Sequence, residues 1–179
     1  MKYLLGGLVL ALSACTISPS IGLENSKGDE RITIHVPQNN PTIHAIQYVG
    51  FTESANRQEL KDYTGVDPVR TEWCAAFVNA VLDETGVEGS DSVSNYPLTA
   101  RSFLKWGTKV SEPEPGDIVV FPRGNSSWQG HVGFYLKTLE INGVDYYMIL
   151  GGNQSNKVSI VPYRASRALG IRRQISTNI

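Results

Sequence analysis

Residues 71–82 read TEWCAAFVNAVL, and this stretch decides the fold class of the chain. The apolar residues that follow Cys74 recur with the three- and four-residue spacing of one helix face: Phe77, Val78, Val81 and Leu82. Thr71 suits the N-cap of this helix, and Gly86 suits its end. The pattern predicts an apolar helix with Cys74 at the N-terminal edge of its buried face.

Other helices are predicted on both sides of this segment. A first helix starts at Pro41, a residue that suits the first helical turn, and runs toward Gly50. A second covers Ser54 to Tyr63 and ends at Gly65, and a short fourth covers Pro97 to Lys105. The first half of the chain is therefore predicted to be mainly helical.

The second half changes to the pattern of strands. Five short runs rich in β-branched and aromatic residues are separated by turn residues: 117–121, 131–137, 145–150, 157–161 and 171–175. Asn142-Gly143 lies between two of them and predicts a tight hairpin turn with positive φ. Helices followed by an antiparallel sheet define an α+β fold, in which the Cys74 helix covers one sheet face.

Cys74 is a candidate nucleophile because of its place at a helix start. The first N–H groups of a helix are unpaired and the helix dipole is positive there, which lowers the pKa of a thiol and favours an oxyanion nearby. A buried cysteine that only fills the apolar face fits the same position. Residues elsewhere in the chain have to decide between these two interpretations.

His131 supplies the base that a nucleophilic thiol needs. It lies in GHVGFY, residues 130–135, where His131, Gly133 and Tyr135 face one side of the predicted strand. Imidazole titrates near neutral pH, so it can take the thiol proton and later protonate a leaving amine. A histidine with a purely structural role is the alternative.

Asn153 is the candidate third residue. It lies in GGNQ, residues 151–154, directly after a predicted strand, and its side-chain oxygen suits the second ring nitrogen of His131. The same residue types also favour a turn with positive φ, which is the alternative. Gln154, its neighbour, suits the orienting role as a substitute.

Two tryptophans adjoin these candidates. Trp73 precedes the cysteine, and Trp128 lies in the polar loop 122–129 that leads into His131. Both tryptophans, together with Gln154, are weak candidates for contacts with a substrate. A core position for Trp73 and an ordinary strand connection for the loop are the alternatives.

Four segments together resemble the CHAP and NlpC/P60 group of papain-like cysteine peptidases and amidases: WCAAFVN at 73–79, GDIVVF at 116–121, GHVGFY at 130–135 and LGGNQ at 150–154. They occur in the order of the family, and the resemblance extends from about Thr42 to Gln174. It implies a papain-like α+β fold and cleavage of amide bonds in peptidoglycan. Many CHAP domains carry a glutamate two residues before the turn asparagine, where this chain has Gly151.

The N-terminus has the features of a bacterial lipoprotein signal. A positively charged start precedes an apolar stretch, residues 4–12, that is too short to span a membrane, and LSAC at 12–15 resembles a lipobox. The resemblance implies removal of residues 1–14 and lipidation of Cys15, whose acyl chains bind the membrane. Thr16, in place of an aspartate, favours the outer membrane facing the periplasm. An ordinary signal peptide that contains a cysteine is the alternative.

This interpretation divides the chain into three parts. After the signal, residues 15–40 are predicted to be a lipidated N-terminus and linker, with a weak edge-strand pattern at Arg31–Val36. Residues 41–176 are predicted to be the hydrolase domain. With Cys15 lipidated, Cys74 has no disulfide partner in an oxidising compartment.

Composition argues against several classes of protein. The 179-residue chain has 16 Lys and Arg against 17 Asp and Glu, a formal net charge of −1, so no nucleic-acid partner is expected. The histidines and Cys74 lack the paired spacings of zinc ligands, and no Gly-rich phosphate loop follows a strand. No metal and no cofactor are therefore expected, and protein partners stay open.

The motifs together predict a lipid-anchored peptidoglycan hydrolase of the cell envelope, an amidase or endopeptidase. Cys74 would attack an amide carbonyl, His131 would act as base and then as acid, and Asn153 would orient the ring. Two alternatives stay open. One is a wall-binding lipoprotein that retains the fold without turnover, which Gly151 favours, and the other is a papain-like acyltransferase.

Overall fold

The computed structural model of the chain describes residues 20–23, 32–35 and 40–175. The predicted signal peptide, residues 1–14, and Cys15 lie outside these ranges. Within the described ranges, no helix is both long and apolar enough to cross a membrane.

The chain divides into two compact units, residues 1–35 and 36–179. The first unit contains an antiparallel pair of strands, β1 (Ser20–Leu23) and β2 (Ile32–His35). Strand β2 falls on the alternating run that predicts an edge strand. Its partner β1 lies in a stretch for which the sequence predicts only a linker.

Helices come first in the second unit: α1 (Thr42–Ala45), α2 (Arg57–Thr64) and α3 (Cys74–Glu84). The first is only about one turn long and continues as a 3₁₀ turn, Ile46–Tyr48, so it is shorter than its pattern. Helix α2 ends as predicted at Gly65, whose φ of 72° lies in the left-handed region.

Helix α3 begins later than the sequence predicts. Its N-cap is Trp73 and not Thr71, because residues 71–73 have non-helical backbone and the buried Trp73 ring anchors the chain at the helix entrance. The segment predicted as a fourth helix is a 3₁₀ helix at Ala100–Lys105. Both differences concern element boundaries, which depend on packing more than on periodicity.

Six strands form an antiparallel sheet in the second half: β3 (Thr108–Val110), β4 (Ile118–Pro122), β5 (Gly130–Ile141), β6 (Val144–Gly151), β7 (Ser159–Arg164) and β8 (Gly170–Arg173). Their order across the sheet is β3-β8-β4-β5-β6-β7. The five predicted runs overlap strands β4 to β8, whereas β3 is too short and too polar to predict. Asn142 and Gly143 make the predicted turn, with φ of 53° and 72°.

Helix α3 packs against β5 and β6, and this contact forms the core beside the site. Its buried side chains include Phe77 and Val78, and the sheet contributes Phe134 and Leu150, all with no exposed surface. The predicted α+β class, with the cysteine helix on an antiparallel sheet, is confirmed.

A buried ion pair attaches β8 to β4. The carboxylate of Asp117, at the entrance to β4, is 4% exposed and accepts hydrogen bonds from Nε and Nη2 of Arg173 at 2.9 and 2.8 Å. Val119 and Ile171 are paired in the ladder between the two strands. The last strand of the sheet in chain order is thus held in its interior.

Candidate active site

Cys74 is the first residue of α3 and is only 3% exposed. The preceding residue, Trp73, is fully buried and makes no side-chain cap hydrogen bond. Because the Trp73 ring is packed in the core directly before Cys74, the position of the first helical turn is fixed relative to the core. The free thiol of Cys74 is held there against the sheet.

Burial sets the protonation state of this thiol. Loss of water raises the pKa of Cys74 above its ordinary value, while hydrogen bonding from the Val132 backbone and the charge of Arg123 act in the opposite direction. The helix start acts as expected, since the Ala75 backbone lowers the pKa of Cys74, but desolvation is the larger effect and the net shift is upward. The resting nucleophile is a neutral thiol.

His131 is the second residue of β5, and the backbone of its neighbour Val132 contacts the Cys74 thiol. The imidazole is buried and stacks on the ring of Tyr163, with centroids 5.2 Å apart and planes 16° apart. Burial lowers the pKa of His131 to about 4, although its hydrogen bond to Gln154 acts in the opposite direction. The ring is therefore neutral at pH 7, as a proton acceptor must be.

Gln154 determines which nitrogen of the imidazole carries the proton. Its side-chain oxygen lies 3.1 Å from Nε2 of His131. Its NH2 group donates to the backbone carbonyls of Ile149, Gly151 and Ser159 at 3.3, 3.3 and 2.5 Å. With the NH2 group turned to these acceptors, the amide oxygen faces the ring and Nε2 has to donate. The other nitrogen, Nδ1, is left without a proton.

Asn153 takes a different place from the one predicted for it. Its Nδ2 donates to Oε2 of Glu72 at 2.7 Å, and no described hydrogen bond joins it to His131. The backbone of Asn153 is left-handed, with φ of 57°, so the turn directs the two adjacent amide side chains to different partners. The orienting contact belongs to Gln154, which the sequence suggests only as a substitute.

Gly152 allows the turn to pack directly on the cysteine helix. A Cβ at this position would lie 2.5 Å from the Trp73 ring and 2.7 Å from Cβ of Phe77. Real Cβ atoms do not approach other atoms so closely, so a side chain here would displace the turn. The absence of a side chain therefore fixes the distance between the turn and α3.

Gly151 leaves room beside the imidazole ring of His131. A Cβ at Gly151 would lie 3.5 Å from Nε2 of His131, so a longer side chain there would reach the imidazole. In this chain the side-chain amide of Gln154, and not a side chain at residue 151, faces Nε2 of His131.

A small pocket of about 110 Å³ opens beside the thiol. It is lined by Glu72, Cys74, Leu98, Thr99, Ala100, Arg123, Trp128, Gln129 and Gly130. Trp128 is 67% exposed and lines this pocket, a position open to the substrate contact predicted for it. Trp73 is fully buried in the core, so it cannot make the substrate contact that was its other interpretation. Gln154 is buried behind His131 and does not line this pocket.

Sequence reasoning missed three residues of the site. Glu72 and Arg123 form an ion pair at the pocket, and Tyr163 covers the imidazole. Closeness in sequence to Cys74 is the signal that points to Glu72. No sequence signal points to Tyr163, whose place depends on the pairing of β6 with β7.

A helix that presents a cysteine to a histidine strand of an antiparallel sheet is the arrangement of papain-like proteins. Residues 66–153 match the CHAP domain family. The match includes Cys74, His131 and Asn153 and ends just before Gln154. CHAP domains are typically cysteine-dependent hydrolases or amidases associated with peptidoglycan. No curated protein matches the chain in sequence.

Proposed function

We propose that this chain is a lipid-anchored peptidoglycan hydrolase that cleaves an amide bond through an acyl-enzyme on Cys74. The observation that carries the proposal is the hydrogen bond from His131 to Gln154, which leaves Nδ1 without a proton and available as a base. The CHAP domain supports the polymer and the class of bond.

The reaction uses one nitrogen of His131 twice. Nδ1 takes the proton from Cys74 Sγ as the sulfur attacks the amide carbonyl, and it gives that proton to the leaving amine as the C–N bond breaks. Water then attacks the thioester with Nδ1 as base, the C–S bond breaks, and a carboxylate and the free thiol result. The Gln154 oxygen holds Nε2–H in every step and stabilises the transient imidazolium.

The start of α3 supplies an oxyanion donor for both tetrahedral intermediates. Among the described residues, the backbone N–H of Cys74 has no hydrogen-bond acceptor, because it belongs to the first turn of the helix. The positive end of the helix dipole favours negative charge at the same place. Removal of a single donor of this kind costs about 10²-fold or more in rate in other acyl-transfer enzymes.

Lipidation of Cys15 anchors the enzyme in the cell envelope. The support is the sequence LSAC at 12–15 and Thr16, which favour an outer-membrane anchor facing the periplasm in a bacterium with two membranes. An anchor of several acyl chains binds a bilayer firmly. It keeps the site within reach of peptidoglycan, the proposed substrate.

Digestion of purified sacculi tests the proposal. The full-length protein in detergent is expected to release soluble fragments, and Cys74→Ser, which keeps the size of the side chain, is expected to release none. Mass spectrometry of the fragments identifies the bond and separates an amidase from an endopeptidase. Equal release by both proteins would refute the hydrolase.

Two other results would replace the proposal by one of its alternatives. Binding of both proteins to sacculi without release of fragments would identify a wall-binding lipoprotein. Transfer of the acyl group to an added amine, faster than to water, would identify an acyltransferase. The hydrogen bond between His131 and Gln154 favours the hydrolase over the wall-binding alternative, because binding alone needs no oriented base.

A further inference from the structure

The pocket beside Cys74 contains two opposite charges that the proposed reaction does not use. Glu72 and Arg123 both line it and form an ion pair with each other. Exposed apolar side chains, Leu98 and Trp128, line the same pocket. A substrate group that enters this pocket therefore meets both charges and the thiol.

Arg123 has unused hydrogen-bonding capacity. Among the described residues, only its Nη1 has a partner, the carboxylate of Glu72, whereas Nε and Nη2 have none. The arginines with structural roles differ, since Arg57, Arg101 and Arg173 each use at least two guanidinium nitrogens. A guanidinium with a free edge matches a carboxylate in a two-bond, planar contact.

The contact that Arg123 does make is easily exchanged. The side chains of Arg123 and Glu72 are 46% and 70% exposed, and exposed ion pairs contribute little to stability. Glu72 also keeps a second partner, because Asn153 donates to the same oxygen from a buried position. An incoming carboxylate therefore binds Arg123 without leaving Glu72 unpaired.

We infer that Arg123 binds a free carboxylate of the substrate close to the scissile amide, and that Glu72 occupies this place while the site is empty. The substrate class is a peptide amide that carries such a carboxylate, as the stem peptides of peptidoglycan do. This inference rests on the proposed function for the identity of the polymer. The anion-binding property itself belongs to the pocket and has a test without turnover.

Alkylation of Cys74 with iodoacetate and with iodoacetamide measures anion binding directly. The two reagents attack the same sulfur and differ in charge, so a change in thiol pKa or access cancels in the ratio of their rates. We expect Arg123→Gln to lower the ratio of iodoacetate to iodoacetamide about tenfold and Glu72→Gln to raise it. Mass spectrometry of the Cys74 peptide in the full-length protein gives both rates.

Two variants serve as controls for this measurement. Arg70→Gln removes one positive charge from an 80% exposed side chain outside the pocket, and the ratio should stay that of the wild type. Arg123→Lys keeps the charge without the planar edge, so its ratio should lie between those of wild type and Arg123→Gln. An equal ratio in wild type and Arg123→Gln, with equal Tm, overturns the inference.

Hydrolysis of paired substrates separates the inference from the proposed function. Arg123→Gln should raise KM for peptidoglycan fragments with a free carboxylate and leave KM unchanged for fragments in which it is amidated. If the wild type hydrolyses neither substrate while the alkylation ratio still depends on Arg123, the proposed function fails and the carboxylate site stands. If hydrolysis occurs and neither the ratio nor KM responds to Arg123, only the inference fails.

Discussion

Gln154 binds His131 through its amide oxygen, 3.1 Å from Nε2, while its NH2 group is held by three backbone carbonyls. The amide cannot rotate by half a turn without losing these bonds and placing its own N–H groups against the ring. The imidazole therefore keeps one tautomer. A neutral amide achieves this orientation without adding a negative charge to a buried site.

Replacement of Gln154 should affect the rate more than replacement of Asn153. Gln154→Ala frees the ring to rotate and change tautomer, so kcat on peptidoglycan fragments should fall about 10²-fold, within the range that general-base catalysis contributes. Asn153→Gly removes the contact to Glu72 and still allows the left-handed backbone of the turn, so kcat should fall less than about tenfold.

Steady-state kinetics on the two variants, with Tm measured for each, checks this difference. A larger loss of kcat in Asn153→Gly than in Gln154→Ala would return the orienting role to the asparagine.

The ring of Tyr163 should control the pH at which activity is lost. His131 must be neutral to accept the thiol proton, and its pKa is about 4, so the acid limb of kcat/KM should lie near that value. Tyr163→Ser admits water to the stacked imidazole, weakens desolvation and raises the pKa toward the ordinary value of about 6.5. The acid limb should then move to higher pH.

Full pH profiles of wild type and Tyr163→Ser measure this shift. Tyr96→Ala, which removes a 74% exposed ring that does not line the pocket, is the control and should leave the limb in place. An acid limb that stays the same in Tyr163→Ser contradicts the role assigned to burial.

The buried His131 should also make folding stability depend on pH. In the unfolded chain it binds a proton near its ordinary pKa of about 6.5, whereas in the folded protein it does so only near 4. Between these values the unfolded state holds more protons, so the free energy of unfolding falls as pH is lowered from about 6.5 to about 4. The loss is on the order of 3 kcal/mol.

Urea unfolding at a series of pH values gives this dependence. His131→Asn should flatten the curve between about pH 6.5 and 4.5, where carboxylates such as Asp67 and Glu84, with lowered pKa values, still keep their charge. A wild-type curve as flat as that of His131→Asn would show that the folded histidine is not desolvated.

Gly152→Ala should destabilise the protein by about 1–3 kcal/mol, the usual cost of overpacking. The new methyl group would overlap the Trp73 ring and Cβ of Phe77, so the turn that carries Asn153 and Gln154 has to move. Activity should fall as well, because Gln154 then loses its distance to the imidazole. Denaturant unfolding and kcat measured on the same variant check both effects.

The neighbouring Gly151→Ala is the matched control. Its Cβ would meet no atom closer than 3.3 Å, so the loss of stability should be smaller. Equal losses in the two variants would mean that the turn, and not the contact with α3, limits packing.

The spacing of apolar residues predicts the fold well for elements that bury only one face. The apolar face of α3 and the Asn142-Gly143 turn follow from local residue types, and both occur where they were expected. The start of α3 does not occur where it was expected, because the helix begins after the buried ring of Trp73 and not after a polar cap residue. Strand β3 has no pattern of its own and exists through its pairing with β8.

The candidate site was predictable in its two main residues and not in its details. Cys74 and His131 follow from motif and chemistry. The choice between Asn153 and Gln154 depends on a left-handed residue whose effect on its neighbour is a three-dimensional property. The raised pKa of Cys74 depends on how deeply the helix start is buried, which a sequence pattern does not contain.

The position of β8 inside the sheet has a consequence for the order of events during biosynthesis. Residues 170–173 are made after every other strand, yet they lie between β3 and β4 and carry the arginine that pairs with Asp117. A chain still emerging from the ribosome therefore lacks the piece that joins β3 to the rest of the sheet. Complete folding of the six-stranded sheet therefore has to follow synthesis of this last strand, and β3 gains its place in the sheet only then.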